Sequence, residues 1–524
     1  MAVRQAGPVH ADLPPRREPG ARPAAGPRGR PPALPWGLAG TVVFLAAAAV
    51  LVLEIVALRL IAPYVGVTLQ TNTAVIGAAL GAIALGAWTG GRLADRTDPG
   101  RLLGPLLLLG AGLTMLVVPL VRWAGEATRG SADASAVLLL AMAAVFAPAA
   151  LLSAVTPMVV KTQLTDLGET GTVVGRLSGI GTLGGILATF ATGFLLVAAL
   201  PSTVIVLGVG VAVGILGVVV LAHRGRRRAA DGARLPAAGL ALLPVSAALL
   251  VAAPRACDVE TAYHCARVVA DPDRPTGRTL VLDTLRHSYV DLADPGHLEF
   301  EYVRAIASLA DVFRPAGAPV AALHVGGGGA TLPRYLEATR PGGRGLVLEI
   351  DGGVVELDRS RLGLRTGPSL DVRVGDARTG LAALPGAEWD LVIGDAFGGV
   401  AVPWHLTTRE TAGQVRRVLG PGGIYAMNVI DCPPDRFARA EIATLRAVFG
   451  HVALMAAPVT VAGTGGGNHV LLASTEPLPL DALARRLAER GPWVVAGEAE
   501  TVRFAGTARV LTDDYAPVDQ LVTQ

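Results

Sequence analysis

Lysine is nearly missing from this 524-residue chain: Lys161 is the only one, and arginine carries the rest of the positive charge. The second half can therefore supply neither the lysine of a phosphate-binding P-loop nor one that forms a pyridoxal Schiff base. Cysteine is scarce as well, with Cys257, Cys265 and Cys432 the only three. None has a zinc-ligand spacing such as C-x-x-C, so no metal site is expected. Charged residues make up only 17% of the chain, and a net charge of +3 is too small to point to nucleic acid. Apolar residues are abundant instead, at 52% with a mean hydropathy of +0.51, which points to a lipid bilayer as the partner. The length exceeds what one core usually organises and predicts at least two domains.

Residues 1–35 are rich in Pro, Arg, Ala and Gly without apolar periodicity, the composition of a disordered tail. Residues 36–254 read as a transmembrane domain of about seven helices. Apolar runs near the ~20 residues a bilayer requires fall at 39–62, 73–91, 102–121, 136–160, 177–200, 202–222 and 236–254. The fifth carries small residues at four-residue spacing, which suits close helix packing in lipid.

Arginines precede the first span, and Arg92, Arg96, Arg101, Lys161, Arg176 and Arg224–Arg228 follow the second, fourth and sixth. All the strongly basic loops thus lie on one side, which should be the cytoplasm. The expected location is the plasma membrane, with the N-terminus cytoplasmic. An odd span count puts the C-terminal half outside. A Cys257–Cys265 disulfide would fit that side; two free thiols are the alternative. Glu54 lies mid-span with Arg59 five residues on, and intramembrane charges are costly. They predict either an ion or substrate role or a pair closing the bundle. GGRLADRTDPGR (90–101) resembles the cytoplasmic loop motif of major facilitator transporters.

Residues 255–524 change period to short β runs alternating with helices, as in an α/β Rossmann-like domain. TLVLD (279–283) is a strand of a small leading region. VAALHV (320–325), GLVLEID, DVRVGDA, WDLVIGDAF and IYAMNVI follow as the strands of a parallel sheet. Gly326, Gly327 and Gly328 follow the first of these and precede a helix with Pro333 in its first turn, an arrangement that lets backbone N–H groups approach a nucleoside. Glu349, about twenty residues on at the next strand tip, is placed to accept ribose hydroxyls. Asp376 at the third tip would meet an adenine amino group, and Asp395 at the fourth would face the crevice. A carboxylate there can attract a sulfonium and take a proton from an amine.

HVGGGGATLPRYL, LVLEID, VGDAR, DLVIGDAFGGVAVPWHL, PGGIYAMNV and LTDDYAPVDQL together resemble the polyamine aminopropyltransferase family, in its membrane-fused spermidine synthase-like branch. LEIVALRLIAPYVG and SAVTPMVVK in the membrane half resemble that branch too. The resemblance implies a class I methyltransferase/spermidine synthase type of fold. It implies transfer of an aminopropyl group from decarboxylated S-adenosylmethionine, a co-substrate and not a tightly bound cofactor, to a polyamine. It assigns Glu349 and Asp351 to the nucleoside ribose side, Asp376–Ala377 to adenine, Pro403 to the pocket wall and Asp395 to proton acceptance. His264 and Tyr302 fall at amine-pocket positions, and a homodimer stays open. Four positions depart from the pattern: Gly329 and Gly398 stand where the family has acids, and Val303-Arg304 where it has His-Glu. Asp291, Asp294, Glu299, Asp431, Asp513 and Asp514 are the acids that would have to replace them. Two other readings are a transporter-like protein with a sensing or non-catalytic nucleoside domain and an S-adenosylmethionine-dependent methyltransferase.

Overall fold

The computed structural model describes residues 34–129, 133–225, 234–399 and 401–523. The tail expected at 1–35 falls outside them, apart from Leu34 and Pro35. Six helices among the described residues are long and apolar enough to cross a membrane: α1 (Trp36–Val65), α2 (Leu69–Arg96), α3 (Pro99–Thr128), α4 (Ala134–Gln163), α5 (Thr170–Ala199) and α6 (Ser202–His223). A further helix, α7 (Arg234–Ala252), covers the seventh expected span and packs along α3. It is not among those six, and part of its side chains lies outside the described residues.

Small residues bring the helices together as the spacing in the fifth span predicts. A side chain on Gly184 of α5 would overlap the backbone of Phe44 in α1, so glycine is what allows the two axes to approach. At one end of the bundle lie the start of α1 and the start of α5, where Arg176 stacks on Trp36. Lys161 of α4 pairs there with Asp95 of α2 at 2.8 Å. At the opposite end α1 and α3 finish, with Arg129 over the ring of Tyr64, and α6 begins.

The C-terminal domain sits on this second end. Its first sheet has four antiparallel strands in the order β1 (Val259–Glu260), β2 (Cys265–Ala270), β3 (Gly277–Leu282) and β4 (Leu285–Asp291). Cys257 and Cys265 are joined, with Cα atoms 5.4 Å apart. Glu260 accepts from the Thr203 hydroxyl of α6 at 2.8 Å and lies 3.9 Å from Arg122 of α3. Arg59 of α1 donates to the carbonyls of Ala262 (2.5 Å) and Thr261 (2.6 Å). Arg59 therefore leaves the bundle, and no ion pair joins it to Glu54 among the described residues.

After α8 (Glu301–Phe313) comes an eight-stranded sheet. Its strands are β5 (Ala321–Val325), β6 (Arg344–Glu349), β7 (Leu370–Val374), β8 (Trp389–Gly394), β9 (Leu419–Asp431), β10 (His451–Ala456), β11 (Gly467–Ser474) and β12 (Val494–Ala496). The spatial order is β12-β10-β11-β9-β8-β5-β6-β7. The five strands β9-β8-β5-β6-β7 are parallel, as their continuous apolar runs predict, and are covered by helices. The last three are antiparallel additions on one edge, so the sheet is mixed rather than wholly parallel. Chain order reverses between β5 and β8, the switch point beyond whose carboxyl ends ligands bind in sheets of this kind.

Candidate functional site

Each strand around the reversal delivers a polar group to the same edge. Directly after β5, Gly326 takes φ +93° and Gly328 φ +47°. A side chain on Gly326 would collide with the carbonyl of Asp395, so glycine is what lets the β5 and β8 exits run side by side. The loop then enters α9 (Thr331–Thr339).

Glu349, the last residue of β6, turns back to this loop. Its Oε2 accepts the N–H of Gly327 at 2.8 Å and of Gly328 at 3.3 Å, while Oε1 accepts the N–H of Asp351 at 2.9 Å. A carboxylate offers about four acceptor positions, and Glu349 stays partly accessible, so it can still take a donor from a ligand. Asp351 is 2% exposed and faces the N-terminus of α10 (Gly352–Arg361). Its Oδ1 accepts from Gly353 at 2.9 Å and its Oδ2 from the Thr261 hydroxyl at 2.5 Å. It holds the segment behind Glu349 and does not present its own oxygens to the crevice.

Asp376, beyond β7, caps α11 (Ala377–Ala383), with Ala377 buried behind it. One oxygen accepts from the Thr379 N–H at 2.9 Å and hydroxyl at 2.8 Å; the other lies 3.0 Å from His405 Nε2. Burial pushes this carboxyl up, but the bonds from Thr379 and His405 outweigh it and hold the pKa below the ordinary range. The His405 contact draws the Trp404–Leu406 turn, with Pro403 before it, toward the tip of β7.

Asp395, beyond β8, is the most perturbed acid of the crevice. Its carboxyl lies deep although part of the residue stays accessible. Desolvation lifts its pKa from 3.8 to about 6, against hydrogen bonds from Asn428 and Tyr302 that lower it. Asn428 Nδ2 donates to Oδ1 at 2.9 Å, and the Tyr302 hydroxyl donates to Oδ2 at 3.1 Å. Asn468 Nδ2 donates in turn to Asn428 Oδ1 at 3.0 Å. Sequence reasoning finds Tyr302 and misses both asparagines. Asn468 sits on β11, whose antiparallel pairing with β9 (Asn468 opposite Ile430) brings it alongside Asn428. The polar Asn428 inside the buried strand IYAMNVI was the available signal.

His264 is not brought to this group. It pairs with Asp283 at 3.0 Å and lines a cavity of about 140 Å³ between the first sheet and the ends of α1, α3 and α6. The amine-pocket position that the resemblance implies for His264 is not where the structure puts it, because the turn between β1 and β2 lies on the membrane side of the domain. The acids that would replace the missing ones are largely engaged elsewhere. Asp291, 1% exposed, and Asp294 both pair with Arg274, and Glu299 lies 3.4 Å from His297. Asp431 is fully buried and accepts backbone N–H groups of Phe437, Ala438 and Thr523. Asp513 pairs with Arg378 at 2.6 Å, and Asp514 is exposed on the turn beyond it. Close to Tyr302 stands a cation instead: the exposed Arg286 lies over the ring of Phe300, which is 6.2 Å from that of Tyr302.

No family model matches the chain. A polyamine aminopropyltransferase of Vibrio vulnificus is 30% identical over 239 residues, covering 42% of this chain and 75% of that protein. Among solved structures, a probable spermidine synthase from Corynebacterium glutamicum is 30% identical, covers 50% of this chain and 97% of that one, and has a TM-score of 0.46. A spermidine synthase from Thermotoga maritima is 19% identical over 46% of this chain and 80% of its own, with a TM-score of 0.34.

Proposed function

This chain belongs to the polyamine aminopropyltransferase family, and from that premise we propose that it is a membrane-bound enzyme moving an aminopropyl group from decarboxylated S-adenosylmethionine to an amine. The observation that carries the reading is Asp395, a desolvated carboxyl at about 6 held between Tyr302 and Asn428 at the strand reversal. An ordinary aspartate is too weak a base for an ammonium. One raised to about 6 is mostly ionised at neutral pH and closer in basicity to the proton it must take. Gly326–Gly328, Glu349 and Asp376 bind the nucleoside. The amine nitrogen attacks the carbon beside sulfur, the carbon–sulfur bond breaks, methylthioadenosine leaves, and the nitrogen's proton passes to Asp395.

The acceptor differs from a simple diamine. A second ammonium in the crevice would find Gly329 and Gly398 where the family pattern has acids, with the cation of Arg286 stacked on Phe300 beside Tyr302. Each missing charge-assisted bond is worth about 1–3 kcal/mol. The domain faces the outside of the plasma membrane: it docks on the bundle end opposite Lys161 and Arg176, and it carries the Cys257–Cys265 bridge.

The test is the full-length protein in lipid nanodiscs, supplied with decarboxylated S-adenosylmethionine and a panel of mono-, di- and amino-acid amines. Mass analysis should find an aminopropyl adduct and methylthioadenosine, both lost in Asp395→Asn. A methyl adduct, or no product with any amine, refutes the assignment. A reporter fused to the C-terminus should be active only in its external form; cytoplasmic activity refutes the orientation.

A further inference from the structure

The geometry points to Arg59, inside the first membrane helix, as a positioning residue for the nucleoside site, acting through Thr261, Asp351 and Glu349. The inference rests on the reading of Glu349 as the ribose-binding carboxylate.

An unbroken path of hydrogen bonds joins the two domains. The Arg59 guanidinium grips the carbonyls of Thr261 and Ala262 at 2.6 and 2.5 Å. These residues form the tight turn between β1 and β2, in which the Thr261 hydroxyl also receives the N–H groups of Tyr263 (3.1 Å) and His264 (2.8 Å). That hydroxyl donates to Asp351 Oδ2 at 2.5 Å. Asp351 caps α10 through its other oxygen, and its own N–H fixes Glu349 Oε1 at 2.9 Å. Glu349 Oε2 then holds Gly327 and Gly328. A side chain on Gly353 would overlap Thr261, so the turn and the head of α10 are also packed in direct contact.

Two features make this more than a domain contact. An arginine near the end of a membrane helix is costly unless its donors are satisfied, and here both terminal nitrogens are spent on one turn of the soluble domain. The turn in question bonds to Asp351, the residue whose backbone N–H holds Glu349 Oε1. Asp358, on the same helix, does not compete as a charge. Burial first, and then the field of Glu349, push its pKa to about 9, so it is neutral at pH 7. Movement of α1 against the first sheet would therefore be felt as a change in where the Glu349 carboxylate points.

Arg59→Ala, Arg59→Lys, Thr261→Val and Thr261→Ser in the full chain, held in nanodiscs, separate this from simple tethering. The readouts are methylthioadenosine affinity by calorimetry, the KM for the donor and kcat as a function of pH. Arg59→Ala and Thr261→Val should each weaken methylthioadenosine about tenfold and raise KM in step. The midpoint of the kcat profile, which reports Asp395, should stay put. Thr261→Ser and Arg59→Lys should recover most of the affinity. If Arg59→Ala does not fold, the Thr261 pair decides alone, since it leaves the membrane half untouched. Affinities within twofold of wild type in Thr261→Val overturn the inference and leave the proposed function standing. A wild-type protein that binds methylthioadenosine without transferring anything sinks the function and leaves this coupling to be judged on affinity. Absence of binding in the wild type overturns both.

Discussion

Replacing Asp395 by asparagine should make this protein inactive and more stable. In the folded chain the carboxyl titrates at about 6 instead of 3.8, chiefly because it is desolvated. A rise of that size corresponds to about 3 kcal/mol. The sign follows from which state ionises first. As pH climbs from 4 to 6 the unfolded chain loses its proton while the folded one keeps it, so the folded state loses stability over that window. Above 6 the full penalty is present and constant. Asparagine carries no charge at any pH and removes the penalty. It also fits the existing bonds: its oxygen can accept from Asn428, and its amide can donate to a reoriented Tyr302 hydroxyl. Denaturation in detergent should show Asp395→Asn more stable by up to about 3 kcal/mol at pH 7.5 and by about half that at pH 5. Transfer should fall by roughly 10²–10⁴. A variant no more stable than wild type at pH 7.5, or a gap that stays constant down to pH 5, refutes the claim that this carboxyl is desolvated in the working protein.

Asn428→Ala removes a donor that holds the Asp395 pKa down, so the acid limb of the kcat profile, expected near pH 6, should move to higher pH. An unmoved limb would assign it to another group. Glu349→Gln must turn its amide toward either the Gly327 and Gly328 N–H groups or that of Asp351. At least one donor is then unpaired, at about 1–3 kcal/mol each, and calorimetry should show methylthioadenosine binding weakened tenfold or more. In denaturant without reductant, thiol labelling should find Cys432 alone, and all three cysteines after reduction. Cys257→Ser should lower stability by about 2–3 kcal/mol; three reactive thiols in the unreduced protein would exclude the bridge.

Much of this architecture is legible in one dimension because its causes are local. A bilayer demands unbroken apolar runs, so the spans announce themselves, and α5 and α6 are separated at Pro201. Parallel strands buried on both faces are equally plain, and the tips of three of them carry Glu349, Asp376 and Asp395 in the sequence and in space alike. The antiparallel strands β10–β12 follow the last strand that the motifs mark, and their place at the sheet edge is set by the pairing of β11 with β9. Asp351, which the resemblance puts on the nucleoside side, is a buried helix cap.

What the residues determined by themselves was therefore the type of each element, the glycine bend and the row of acids, because backbone sterics and hydrophobic burial act over a few neighbours at a time. Only the tertiary structure decided which acids are spent on arginines, which asparagines flank Asp395, that His264 belongs to the membrane junction, and that Arg59 grips the turn behind Glu349. Those facts depend on contacts across as many as 203 positions of chain. A side chain's partners at that range are chosen by how whole layers pack, which no local pattern encodes.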